Sequence, residues 1–487
     1  MKTSDRKISY TPLTQNLKKK YALVDNELES SIRQLALFAK GHLYGLTKKK
    51  GITLPQVMFT ILIWPLLSIG SLNFFCGNRL QAYFNGKKDV LYDFLKRQNI
   101  NWRGYRFHVA KQFYKRHSLK HEKILACVFD DTIKRRRGKQ VSAVSSHYDH
   151  NDSKYVMGQQ VLDMGLATSK AYLPLDSQIY VGEKNVQEGK YEFDDARNTL
   201  AKDYDVAMNK NKNEMLRIML MRAIRSGIRF THVIADSWFG NRDNIKAIIA
   251  AKLTGVIRMK RGNLRYIFND NRYTLTELYA LIQRRMTPMK GTKYKAYALN
   301  VFLPVPEKDN EELIPVKLLF SAPVSINKDN WGVFLSTDIC LSPEEILSIY
   351  SLRWGIEVYF KEVKQHFGFL KEQTGDYAVH YASIHLAAIR FIIIMDISLR
   401  TGDAFGVIRN QITKRLETIT FARLLWELFK ALIYGALDGL RDLISVKTIK
   451  LIKKAINLRV SDFLATALQL DEDYLQNELK AEACGAL

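Results

Sequence analysis

Between residues 121 and 260 short apolar runs alternate with amphipathic segments, and their order restricts the fold more than any other feature of the chain. KILACVF (123–129), GQQVLDMGLAT (158–168) and KAYLPLDSQIYVG (170–182) read as strands, the last two joined by a short turn. The pattern then predicts a helix over 212–226 (KNEMLRIMLMRAIRS), a buried strand over 231–236 (THVIAD), a helix over 241–253 and a strand over 255–260 (GVIRMK). Three antiparallel strands followed by alternating β and α imply a mixed sheet with helices on both faces. After Met259 the texture becomes β-rich and antiparallel: KYKAYALNVFL (293–303), IPVKLLFSAPV (314–324) and WGVFLSTDI (331–339) are separated by the polar turns PEKDNEE and INKDN. The flanks read as helical. Residues 1–120 carry lysine runs at 18–20 and 48–50, and the tail from 401 is basic.

With 487 residues, 47% of them hydrophobic, the chain can bury two to four domain cores. Its 74 Lys and Arg against 49 Asp and Glu leave a formal charge of +25, which favours polyanionic partners: nucleic acid or an anionic membrane. Cys76, Cys127, Cys340 and Cys484 form no CxxC pair, which argues against a zinc ribbon or a disulfide scaffold and suits a reducing cytoplasm. The N-terminus shows no apolar signal-peptide region. Two apolar stretches, 57–69 with Pro65 and 384–399 with His385, Arg390 and Asp396, fall short of the roughly 20 apolar residues of a span and are expected to be buried helices.

A long helix is predicted from Ser342 as N-cap and Pro343 at its first position to about 368. Within it, YSLRWGIEVYFKEVK (350–364) sets Tyr350, Arg353, Glu357 and Lys364 in a stripe about 60° wide at about 100° per residue, beside a core-facing side of Ile349, Leu352, Ile356, Tyr359, Phe360, Val363 and Phe367. Taken alone, the stripe is a solvated flank with an ordinary salt bridge. Two further acids end apolar strands: Asp130, followed by Asp131, and Asp236. Each alone reads as a loop carboxylate or a helix cap. Together with Glu357 they could converge, and converging carboxylates repel one another unless a cation neutralises them. Oxygen donors suit Mg²⁺ or Mn²⁺, and two such ions about 3.5–4 Å apart can serve phosphodiester transfer. Arg353 and Lys364 would then meet phosphates, and Tyr350 could hydrogen-bond one. His147-Tyr148-Asp149-His150 reads as a polar loop rather than a metal site, and the basic run IKRRRGK (133–139) as a phosphate contact.

Tyr350, Arg353, Glu357 and Lys364 fit, without a gap, the Y-x2-R-x3-E-x6-K signature of DDE transposases of the insertion-sequence 4 family. Asp130-Asp131-Thr132 resembles that family's first D-x-T motif, and Asp236-Ser237-Trp238-Phe239 its second, D-x-x-F/Y. The resemblance covers about 120–400. It implies an α/β fold with a ribonuclease-H-like mixed sheet core (121–260 and 341–400), a β-rich insertion (261–340), a helical basic DNA-binding domain (1–120) and a helical C-terminal region (401–487) able to dimerise. It implies that Asp130, Asp236 and Glu357 are catalytic and hold two Mg²⁺ or Mn²⁺ ions, the D-x-T pattern favouring Asp130 over Asp131. It further implies DNA contacts by Tyr350, Arg353, Lys364 and Arg258. Trp331 either stacks on a flipped base or closes a β-layer. The expected activity is cut-and-paste transposition by a homodimer on double-stranded inverted-repeat ends and target DNA, in a bacterial cytoplasm at the nucleoid, with no membrane partner and with a hairpin intermediate. The rival readings are a ribonuclease-H-like nuclease or resolvase without strand transfer, and a non-catalytic transposase-derived DNA-binding protein.

Overall fold

A computed structural model of the chain describes residues 27–456, apart from 29, 81–82, 85, 139, 150–151, 182–190, 307–310 and 326–329. The lysine run at 18–20, His150, Lys139, most of both polar turns and the tail beyond 456 therefore lie outside the described residues. The chain divides into two compact units. One gathers the described parts of Met1–Ile100, Gln365–Gln373 and Ala378–Leu487, and the other holds Asn101–Lys364 and Thr374–Tyr377.

The second unit is built on a mixed sheet. Its strands in chain order are β1 (Ala126–Arg135), β2 (Ser145–Asp149), β3 (Lys154–Ala167), β4 (Tyr172–Tyr180), β5 (His232–Ala235) and β6 (Thr254–Met259). The insertion adds β7 (Arg265–Phe268), β8 (Asn271–Thr274), β9 (Thr287–Pro288), β10 (Tyr294–Pro306), β11 (Glu311–Pro323) and β12 (Gly332–Ser336). Spatially the core runs β4-β3-β1-β5-β6. β3 is antiparallel to β1 and to β4, whereas β5 lies parallel to β1 and β6 parallel to β5. Three antiparallel strands joined to two parallel ones in this order form a ribonuclease-H-like core. The apolar segments of β1 and β5 are buried throughout at Ala126–Phe129 and Val233–Ala235, as strands covered on both faces require. The helices that return the chain are started by side-chain caps at Asn211 (Lys212–Arg225) and Asn241 (Arg242–Ala250).

The insertion does not form a separate layer. β12 pairs antiparallel with β6, and β11, β10, β7 and β8 follow, so the sheet counts 12 strands among the described residues. One short helix, Leu275–Ile282, interrupts its β character behind a capping box of Thr274 and Glu277.

Three sequence expectations change here. β1 does not end before Asp130 but runs through it to Arg135, because backbone pairing with β3 continues to Arg135↔Gly158 after burial on both faces has ceased. The basic run thus begins inside a strand: Arg135 pairs with Asp149 and Asp152, and Arg136 donates to Gln159. The signature helix is two helices, Pro343–Ser351 and Trp354–Gln365. The helix Trp102–Arg116, read from sequence with the N-terminal domain, belongs to the sheet-bearing unit.

The other unit contains the helices Leu54–Ile63, Leu72–Asn78, Lys88–Leu95 and Phe405–Gly439, and the helix Tyr377–Thr401 from Ala378 onward. The 57–69 stretch stops being α-helical at Ile63 and tightens into a 3₁₀ turn over Trp64–Leu67, where Pro65 cannot supply an N–H. Tyr377–Thr401 has 25 residues, more than the sequence suggested, and is long and apolar enough to cross a membrane; 83% of its most apolar window is buried in the protein. Arg390 lies fully inside this unit and donates to the carbonyls of Leu62 (3.0 Å), Ile61 (2.6 Å) and Phe367 (2.7 Å). Burial lowers its pKa to about 10.

Candidate active site

The site starts in the middle of β1. Adjacent strand residues point to opposite faces, so Asp130 and Asp131 cannot share partners. Asp130 Oδ2 accepts from Arg353 Nη1 at 2.8 Å, and Nη2 of the same guanidinium donates to Glu357 Oε1. Asp131 is engaged elsewhere, accepting from Gln160 Nε2 and Lys212 Nζ, both at 2.8 Å. Of the two, Asp130 is therefore the acid that shares a partner with Glu357. Asp236 follows the last residue of β5. Since Phe129 and Ala235 are register partners on adjacent parallel strands, Asp130 and Asp236 occupy the next positions on strands about 4.8 Å apart. The N–H of Trp238 donates to Asp236 Oδ1 at 2.9 Å and fixes the turn that leaves β5.

Glycine brings the helix bearing Glu357 to the sheet. A β-carbon on Gly355 would lie 3.1 Å from two side-chain atoms of Tyr172, and one on Gly165 would lie 2.3 Å from the Tyr172 ring. Gly165 leaves the room that the Tyr172 ring occupies, and Gly355 lets the helix come close to the same ring. On the same helix, the Tyr359 hydroxyl reaches Asp163 Oδ2 at 3.4 Å. The break before this helix is made of tight bonds: Arg353 N–H to Tyr350 C=O (3.0 Å), Gly355 to Leu352 (3.1 Å) and Ile356 to Arg353 (3.2 Å). Arg353 consequently projects from a turn rather than from a continuous helical stripe.

The remaining predicted residues fall as follows. Tyr350 is half-buried, its ring edge-on to Phe334 with centroids 4.7 Å apart and the Arg353 guanidinium 5.9 Å away. Arg258, exposed on β6, lies within electrostatic reach of Tyr350. Lys364, at the far end of the Glu357 helix, feels Asp149, Asp130 and Asp131. Trp331 departs from the base-stacking expectation: it is only 7% exposed. Tyr279 stacks on it at 4.1 Å and 5°, and the Arg261 guanidinium sits over the ring, also at 4.1 Å. This packing favours the reading in which Trp331 closes a β-layer. Trp331→Ala should destabilise the unit by about 3–5 kcal/mol, read as an earlier denaturant midpoint; a change below about 1 kcal/mol would contradict a packing role.

Burial sets the electrostatics. It raises the Asp130 carboxyl to about 6 against the opposing pull of Arg353, with Asp236 adding repulsion. It also raises Asp236, which the Trp238 N–H partly offsets. Desolvation lowers Lys364 against the attraction of the three acids it faces, and burial raises Tyr350. Two raised carboxyls beside one another make a site that gains from a cation. Their oxygens are the donors Mg²⁺ and Mn²⁺ take. Among the described residues no three His, Cys, Asp or Glu side chains gather closely enough to share an ion; the Arg353 guanidinium stands between two of them. The donor chemistry fits a divalent ion, and the resident cation is a side chain.

Behind the acids lies a buried polar network that the sequence reading missed. Asp163, the register partner of Asp130, accepts from Arg106 (3.2 Å) and Ser177 (2.5 Å). Asp176 binds Arg103 (2.7 Å) and Arg222 (2.5 Å), and Asp203 binds Arg103 and Tyr377 (2.6 Å). Burial raises Asp163 to about 6; it also opposes ionisation of Asp176, but the surrounding arginines outweigh it and hold that group low. The available signal was an acid inside each of two apolar strands, VLDMG and LPLDSQ. Also missed was Trp238, 46% exposed, with the ammonium groups of Lys212 and Lys260 at 4.2 and 4.1 Å from its ring centre.

His147 is buried, with Nε2 2.9 Å from the Ser145 hydroxyl, and desolvation with help from Lys212 lowers its pKa to about 4. A histidine depressed from about 6.5 in the unfolded chain contributes stability above that value and loses it as pH falls through about 4. Urea unfolding should therefore lose up to about 3 kcal/mol between pH 6.5 and 4 on this account, and His147→Gln should flatten that slope. An unchanged slope in the variant would place the acid sensitivity elsewhere.

Two family models match the sequence: a DDE superfamily endonuclease over residues 78–274 and a transposase DDE domain over residues 195–391. The first contains Asp130, the second contains Glu357, and both contain Asp236. No curated protein matches the chain. Among solved structures, a piggyBac transposase synaptic complex with hairpin DNA is similar over 86% of this chain and 82% of that one, at 13% identity and a TM-score of 0.40. In sequence, then, the chain carries matches to a DDE endonuclease and a DDE transposase domain that overlap across the strand and turn bearing Asp236.

Proposed function

We propose that this protein is a cut-and-paste DNA transposase of the insertion-sequence 4 type, with Asp130, Asp236 and Glu357 as its catalytic carboxylates. The observation that carries the reading is the Arg353 guanidinium joined at once to Asp130 on the sheet and Glu357 on the helix, beside the strand that delivers Asp236. Two Mg²⁺ or Mn²⁺ ions held by the three acids would supply activation of the attacking oxygen and stabilisation of the leaving one. The rest falls to the chain. Arg353 presents a two-pronged donor matched to phosphate oxygens, and Lys364 a point charge. Tyr350 and Arg258 extend the cationic, hydrogen-bonding surface toward the DNA backbone. Asp131 holds Lys212 and takes no part in the chemistry.

On this reading the protein binds the inverted-repeat ends of its element as a homodimer, hydrolyses the phosphodiester at each end, and joins the freed 3′-hydroxyls to target DNA. The two matched family models support a DDE transposase or nuclease, and the +25 charge supports a DNA partner. The test is a duplex bearing the element's end, taken from the DNA flanking the gene, incubated with protein and Mg²⁺. Nicking at the end that requires the ion and is lost in Asp130→Asn but kept in Asp131→Asn is the expected result; the reverse pattern would reassign the first acid. Lys364→Ala should weaken end binding and flatten its salt dependence by about 0.9 in log K against log salt, the value of one phosphate contact. An unchanged slope would return Lys364 to a solvated flank.

A further inference from the structure

The acids proposed to hold metal are already bridged, and the bridge is the side chain proposed to hold DNA. Arg353 turns Nη1 and Nη2 to Asp130 and Glu357, and a phosphate gripped end-on by the same edge of the guanidinium would compete for those donors. Its position permits exchange. It stems from the turn between Pro343–Ser351 and Trp354–Gln365, whose backbone bonds are local. Its side chain is 21% exposed, whereas the buried Arg106 on Asp163 is 0% exposed. Lys364 and Lys212 also feel these acids, yet Lys212 is committed to Asp131 at 2.8 Å. Arg353 is thus the cation that ties Asp130 to Glu357.

We infer that Arg353 is an exchangeable internal cation that couples the two ligands of the site: it holds Asp130 and Glu357 together until a DNA phosphate draws it away, and only then are both carboxylates free to take a divalent ion. The inference rests on the proposed function. It follows that DNA and metal bind cooperatively. Without DNA, an incoming ion must displace a bidentate guanidinium; with DNA, the guanidinium has a phosphate and the acids are left unpaired, the state a divalent ion relieves. By linkage, the factor by which DNA tightens metal must equal the factor by which metal tightens DNA. A protein built this way would leave its hydrolytic ions unloaded away from DNA.

The test uses the full chain, Mn²⁺ and a short duplex of arbitrary sequence at low salt, with free Mn²⁺ followed by electron paramagnetic resonance and the duplex alone as a control. For the unaltered protein the duplex should tighten Mn²⁺ binding by about 5–150-fold, the ordinary range of coupling between two sites. In Arg353→Gln the competing cation is gone, so Mn²⁺ should bind without DNA about as tightly as it binds the unaltered protein with DNA, and the duplex should add little. Arg353→Lys, which keeps a charge but loses the fork, should fall between them. An unchanged thermal melt in the glutamine variant guards against misfolding, and the lysine variant provides the graded readout should that melt shift. If both variants bind Mn²⁺ without DNA no more tightly than the unaltered protein, the coupling is overturned while metal binding by the acids stands. If no form binds Mn²⁺ with or without DNA, the metal site itself, and with it the proposed function, is overturned.

Discussion

Glu357→Gln should leave DNA binding nearly intact while end cleavage falls by about 10³-fold or more, because the substitution removes a metal-binding charge of several kcal/mol and no phosphate contact. Glu357 is joined to Arg353 alone among the cations described around it; glutamine keeps an oxygen that can accept from that guanidinium but gives up the charge, so the prong is held less tightly. Binding should therefore hold or tighten slightly. Electrophoretic mobility with an end duplex reads the first quantity and denaturing electrophoresis of nicked strands the second. If cleavage and binding fall together, Glu357 is a structural partner of Arg353 and the helix has one task instead of two.

The second large effect lies behind the acids. Arg106→Ala should destabilise the sheet-bearing unit by about 3–5 kcal/mol, since it leaves Asp163 buried without its cation. Asp163 is wholly enclosed and keeps only the Ser177 and Tyr359 hydroxyls. Its partner across the strand pair is Asp130, and its ligand Tyr359 stands on the helix of Glu357, so the damage should reach the site. Replacing both members, Arg106→Met with Asp163→Leu, should recover most of the stability because no charge is then buried alone. Urea midpoints at constant slope measure both. A double variant no more stable than the single one would show that the network's other hydroxyls, not the lone charge, set the cost.

The core order was legible because its evidence is local. Apolar runs of strand length with capped helices between them specify β5, Arg242–Ala250 and β6 with little tertiary help. The end of β1 was not legible, because beyond Phe129 the strand is held by backbone bonds to β3 while its side chains turn polar; hydropathy reports burial, and pairing had outlasted it. The helix break at Leu352–Arg353 was hidden for a different reason. The residues there are ordinary helix formers, and the break shows only in the backbone bonds, which tighten to the i→i−3 pattern from Leu352 to Ile356. The four-residue signature survived the break because three of its members lie at or beyond it. Trp331 illustrates the remaining limit: a tryptophan opening a strand reads the same whether its faces are free or covered, and only the fold brings Tyr279 and Arg261 against it. The Asp130 and Asp131 ambiguity, by contrast, is one that strand geometry frames and partners separate.

The central claim is that three carboxylates, from β1, from the end of β5 and from the helix after the break, cut DNA and rejoin it. The most direct measurement mixes the full chain with a duplex carrying the element's end, an unrelated target plasmid and Mg²⁺, and sequences the products. The account predicts end strands joined covalently to the plasmid through their 3′ oxygens, absent when Mg²⁺ is chelated and absent in Asp236→Asn. Cleaved ends that accumulate without joining, or joined products that persist in Asp236→Asn, would contradict it.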